Sequence, residues 1–84
     1  MKIKETIPVK IFSPFKVFFE GDALAVSAVN KTGPFDILAK HEDFLTILVP
    51  CNVVVRTPQG KQEFPLQRGI VQVNKDRVWV FANI

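Results

Sequence analysis

Residues that break regular structure recur every six to twelve positions along this chain, and the segments between them alternate apolar and polar side chains. Strict alternation with frequent turns is the signature of short strands packed as a sandwich or barrel. Thr6–Phe12 is punctuated by Ser13-Pro14, and Phe15–Glu20 is closed by Gly21-Asp22. In the second segment Phe15, Val17 and Phe19 are expected to face the core, with Lys16, Phe18 and Glu20 opposite. Asp22–Val29, with Leu24, Val26 and Ala28 inward, runs into the turn cluster Asn30-Lys31-Thr32-Gly33-Pro34. Phe35–Leu38 and Phe44–Val49 follow, separated by the polar loop Ala39–Asp43. Asn52–Thr57 and Gln62–Leu66 flank Pro58-Gln59-Gly60-Lys61, a hairpin signal. Ile70–Val73 and Arg77–Ala82 flank Asn74-Lys75-Asp76. In the last segment Val78, Val80 and Ala82 share one face, while Trp79 and Phe81 share the other.

Composition explains why these segments become strands. The chain has 84 residues, with 12 Val, 7 Ile and 8 Phe against 5 Leu. β-Branched and aromatic side chains suit a pleated, half-buried surface better than a helix. No segment has the length and periodicity of an amphipathic helix. The expected fold is all-β: a flattened β-sandwich of two sheets with about nine to ten short strands, forming a single domain over residues 1–84. Nine strands in one flat open sheet would leave the core uncovered.

Several kinds of chemistry find no support. A single cysteine, Cys51, rules out an internal disulfide framework and a multi-cysteine zinc site, and it sits beside a run of valines as a small apolar residue would. The single histidine, His41, lies in Lys40-His41-Glu42-Asp43. A histidine beside carboxylates could serve as a general base, but this stretch reads more simply as a solvated loop. There is no nucleophile elbow, phosphate-binding loop or EF-hand spacing. Neither catalytic residue, metal nor cofactor is expected. No apolar run reaches membrane-span length, and the N-terminus lacks a signal-peptide h-region, so a reducing cytoplasm is expected.

The net charge of +3 comes from cations spread along the chain. A nucleic-acid surface would cluster them. Single-strand binding by a small β-barrel with aromatics on a basic face is kept as the alternative reading, and a small enzyme or sugar-binding sandwich using His41 as a third. Phe18, Trp79 and Phe81 stand where alternation predicts polar residues. Apolar anchors on an outer face point to a protein partner or to a corner buried on both sides.

One segment goes beyond generic β. Gly33-Pro34-Phe35-Asp36-Ile37-Leu38-Ala39-Lys40-His41, followed by Phe44-Leu45-Thr46-Ile47-Leu48, resembles a stretch of the epsilon subunit of rotary F-type ATP synthases. In order around it, Val9–Pro14, Val17–Gly21, Phe64–Val73 and Val78–Ala82 resemble other strands of that family. The resemblance covers about residues 9–82 and implies a β-sandwich that seats on the rotor. It implies a non-catalytic central-stalk subunit linking the gamma subunit to the membrane c-ring, on the cytoplasmic face of the bacterial inner membrane. It places Ser13, His41, Glu42 and Phe44 toward gamma, and Val29, Asn30, Lys31, Thr32, Gly33 and Pro34 toward the c-ring. Trp79 stands where the family is often polar and is expected to widen an apolar contact, to gamma or to a second copy. The free domain is expected to be a monomer or weak dimer.

The departures from the family pattern are Asp36 for a usual Gly, Ala39 for a Pro, Arg68 for the first residue of a Gly pair, and the charged Lys40–Asp43 stretch. Asp36 implies either that the backbone there avoids positive φ or that Asp tolerates it. Most family members continue into a pair of inhibitory, sometimes ATP-binding, helices. This sequence ends at Ile84, so those functions are not expected of it.

Overall fold

The computed structural model describes residues 5–40 and 42–83, and all its regular structure is β. Nine strands run in order: β1 (Ile7–Phe12), β2 (Val17–Ala23), β3 (Ala25–Asn30), β4 (Gly33–Leu38), β5 (Phe44–Leu48), β6 (Cys51–Thr57), β7 (Gly60–Leu66), β8 (Gly69–Asn74) and β9 (Arg77–Ala82). They form one hydrogen-bonded path, β2-β1-β9-β8-β5-β3-β6-β7, with β4 on the side of β3. The path narrows between β5 and β3, where only Asn30 and Leu48 are in register. This narrow join divides the expected sandwich into a leaf of β2, β1, β9, β8 and β5 and a leaf of β4, β3, β6 and β7. The two sheets expected from the sequence are thus joined by one residue pair.

The chain crosses between leaves four times, from β2 to β3, β4 to β5, β5 to β6 and β7 to β8, and backbone bonds tie the first and third of these corners. Between β2 and β3, the Leu24 N–H donates to the Arg56 carbonyl at 2.7 Å. Beyond β5, the Val49 N–H donates to the Val29 carbonyl at 3.2 Å. The first and last strands, β1 and β9, pair in parallel, from Val9 opposite Val78 to Phe12 opposite Phe81. All other pairings are antiparallel.

The core lies between the leaves. Ile7, Val9, Ile11, Val71, Val73, Val78, Val80 and Ala82 come from the first leaf, and Val26, Ala28, Ile37, Val53, Val55 and Leu66 from the second. Fully burying one such side chain contributes about 1.5–3 kcal/mol. Among the described residues no buried side chain is polar or charged, so the interior imposes shape and carries no chemistry. Phe19 packs against this core, as alternation predicts, and Phe44 packs there too.

Phe15 does not, and the expectation is corrected. It belongs to the Ser13–Lys16 turn and is 96% exposed, and Val17 is half exposed. The register between β1 and β2 shifts at Ile11 and Phe12, so that Ile11 faces Phe19 and Phe12 faces Val17. That irregularity ends the simple alternation the sequence suggested for Phe15–Glu20.

Candidate docking surface

The outward side chains of the first leaf fall into rows, because each strand that buries one set of residues must present the other. One row crosses four strands as Ile47, Ile70, Phe81 and Phe12 in mutual register and continues to Val17 on β2. The next row reads Leu45, Gln72, Trp79, Lys10 and Glu20. The first row is wholly apolar, and the second begins with Leu45 and holds Trp79 at its centre. Ile47 is 67% exposed, Leu45 61% and Trp79 42%. The Phe12 and Phe81 rings meet at 4.8 Å and 60°. Lys10 Nζ lies 5.0 Å from the Phe12 ring and Lys16 Nζ 5.3 Å from that of Phe18, so cations border the band without breaking it. Contiguous exposed apolar surface rimmed by polar groups marks a contact site.

The outer face of the second leaf is different. Its rows read Leu38, Ala25, Arg56, Lys61 and Asp36, Ser27, Val54, Glu63. Several of its polar groups are matched to one another. The Ser27 hydroxyl donates to Asp36 Oδ1 at 2.5 Å, Asn52 Nδ2 donates to Glu63 at 3.5 Å, and Lys61 pairs with Glu63 at 3.7 Å. A face that satisfies itself gains less from a partner.

The β3–β4 hairpin is built by its own side chains. Lys31 and Thr32 form the tip, and Asn30 Oδ1 accepts from both the Thr32 N–H at 2.9 Å and its hydroxyl at 2.7 Å. Asn30 Nδ2 donates to Thr46 Oγ1 at 3.2 Å, which fastens the hairpin to β5. Gly33 has φ 127°, a conformation that a side chain disfavours. The β6–β7 turn repeats this scheme, with the Thr57 hydroxyl oxygen accepting the Gln59 N–H and Gly60 at φ 136°. A hollow of about 330 Å³ is shared by Asn30, Lys31, Thr32, Leu45, Thr46 and Ile47. The hairpin and the apolar band therefore adjoin.

The residues expected toward one partner are spread apart. Ser13 sits in the β1–β2 turn, where its Oγ accepts the Phe15 N–H at 3.3 Å. Glu42 and Phe44 lie at the opposite end, where Phe44 pairs with Val73. The Phe44 ring is half-buried and meets Phe35 edge-on at 5.9 Å. His41 lies outside the described residues. Val29 to Pro34 stay together across the β3–β4 turn, and Trp79 joins the band. Asp36 is not among the positive-φ residues, which settles one family departure: the backbone there has no need of glycine.

Sequence reasoning singled out Phe18, Trp79 and Phe81 but missed Leu45, Ile47 and Ile70. Phe44-Leu45-Thr46-Ile47-Leu48 is apolar on both faces, so no alternation shows which residues point outward.

The family described as ATP synthase, Delta/Epsilon chain, beta-sandwich domain matches residues 6–84. The ATP synthase epsilon chain of Clostridium novyi (strain NT) is 36% identical over 80 residues, covering 94% of this chain and 61% of the relative. That of Stenotrophomonas maltophilia (strain K279a) is 38% identical over 79 residues, covering 93% and 56%. This chain thus spans about three fifths of the length of such relatives. A chain in the Euglena gracilis mitochondrial ATP synthase (OSCP/F1/c-ring) superposes with a TM-score of 0.86 at 20% identity, covering 98% of this chain and 53% of that one. One in the Tetrahymena thermophila mitochondrial ATP synthase (central stalk/c-ring) superposes with a TM-score of 0.74 at 20% identity, covering 95% and 66%. At that identity, the two superpositions speak for the fold.

Proposed function

Because the chain belongs to the delta/epsilon-chain β-sandwich family of ATP synthases, we propose that it serves as a non-catalytic rotor subunit, with the gamma subunit docked on the apolar band and the β3–β4 hairpin against the c-ring. Its place would be peripheral, on the cytoplasmic face of the membrane that holds the complex. The band is the observation that carries this reading. It is rigid, set on paired strands, and lies beside a polar hairpin tip. A rotor coupling needs both a firm apolar seat and a polar surface that meets the polar loops of a ring. Torque passes between them only if the link is stiff, and Asn30, bonded to Thr46, supplies one.

The band suits a protein better than nucleic-acid bases. Four of its seven apolar residues, Val17, Leu45, Ile47 and Ile70, are aliphatic, and Phe12 and Phe81 turn toward each other. Single-strand binders rely on open aromatic faces.

The test mixes the purified chain with the gamma subunit of the same source at tens of micromolar and follows co-elution. A complex that is lost in Ile47→Asp or Ile70→Asp is expected. Absence of a wild-type complex, or a complex indifferent to both variants, would overturn the reading.

A further inference from the structure

Trp79 and Arg77 stand two apart on β9 and form a ridge at the border of the band. On the β8 side of this ridge is a hollow of about 380 Å³ lined by Gln72, Asn74, Lys75, Arg77 and Trp79. Among the described residues, its wall carries two cations, two amides and an indole, with no carboxylate. Across the ridge, a hollow of about 280 Å³ sets Lys10 and Arg77 against Glu20 and Asp22 and is balanced in charge.

Two carboxylates of the adjoining loops already accept backbone hydrogen bonds. Asp43 Oδ1 accepts the Lys75 N–H at 2.9 Å, and Asp76 Oδ1 accepts the Lys40 N–H at 2.8 Å. Among the described residues, the ion pairs join Lys40 to Glu5 and Lys61 to Glu63, so neither Arg77 nor Lys75 takes part in one.

We propose that this hollow receives an acidic side chain, Asp or Glu, from the protein docked on the apolar band, gripped by Arg77 with Trp79 as its apolar wall. The proposal rests on the docking reading above and adds the chemistry of the partner's surface. Three arguments carry it. The guanidinium fork matches a carboxylate with two parallel hydrogen bonds. Trp and Arg are among the residue types most enriched where a few side chains dominate a contact. A second copy of this chain is a poor occupant, since with a net charge of +3 it would bring the same cations to the same place.

The experiment measures the affinity of the full chain for the gamma subunit by calorimetry at two salt concentrations. Wild type is compared with Arg77→Gln, Trp79→Ala and, as a control of equal charge change on the opposite leaf, Arg56→Gln. Arg77 and Arg56 are both exposed strand positions, so the variants should keep the fold, which unchanged thermal unfolding verifies. We expect Arg77→Gln to weaken binding by about tenfold at low salt and to flatten its salt dependence. Trp79→Ala should also weaken binding, and Arg56→Gln should leave it unchanged. If Arg77→Gln and Arg56→Gln behaved alike while wild type bound, the hollow would have no acidic occupant and the docking reading would stand. Failure of the wild type to bind gamma would overturn both.

Discussion

At the scale of single residues, the most unusual backbone lies where two loops meet. Lys75 and Asp76, the central pair of the β8–β9 turn, have φ of 50° and 60°, and Lys40 in the β4–β5 loop has φ of 65°. Positive φ at both central residues is the geometry of tight hairpins, usually filled by Asn and Gly. For other L-residues it costs about 1–2 kcal/mol each. The two loops hold each other there through Asp43 with the Lys75 N–H and Asp76 with the Lys40 N–H. Replacing Lys75 by Asn keeps the turn and the N–H while easing the strain. We predict a gain of about 0.5–1 kcal/mol, seen as a thermal midpoint raised by a few degrees. Asp43→Ala should act oppositely, costing about 1 kcal/mol, because the Lys75 N–H loses its acceptor. A lowered midpoint for Lys75→Asn would show that the lysine stem contributes more than the backbone costs.

At the scale of elements, legibility followed alternation. β9 was readable residue by residue, because valines and alanine alternate with Arg77, Trp79 and Phe81. The hairpin at Pro58 to Gly60 was readable from its turn residues. β2 was misread because a register shift opposite Phe12 and a turn through Phe15 leave no mark on the apolar pattern. The outward half of the band was hidden in β5, whose both faces are apolar. The single-pair join of β3 and β5 was beyond reach, since register between distant strands is set by packing. Gly69 shows the same limit. It opens β8 between Ala82 and Leu48, and a Cβ there would lie 2.7 Å from the Phe81 carbonyl oxygen. That oxygen belongs to backbone and cannot swing aside. Gly69→Ala is therefore expected to cost about 1–3 kcal/mol by overpacking, measured by denaturant unfolding. An unchanged midpoint would mean that β8 and β9 slide apart freely.

At the scale of the whole molecule, one leaf serves two roles on its two faces. Its inner face holds Ile11, Val71 and Val80, each fully buried, and its outer face holds Ile47, Ile70 and Trp79. Since successive residues alternate between them, fold and docking draw on interleaved but separate side chains. A domain of this size has a total stability of about 4–13 kcal/mol. Ile11→Ala should remove about 2–5 kcal/mol of it, because Ile11 is buried where β1 is held between β2 and β9. Ile47→Ala, two-thirds exposed, should change stability by less than about 0.5 kcal/mol. Binding to the gamma subunit should divide the other way: weakened by Ile47→Ala, and at a temperature where Ile11→Ala is still folded, nearly unaffected by that core change. Paired unfolding and binding measurements on the two variants decide this. If Ile47→Ala destabilised the chain as much as Ile11→Ala, its outward side chain would be serving the fold, and the band could no longer be read as surface held ready for a partner.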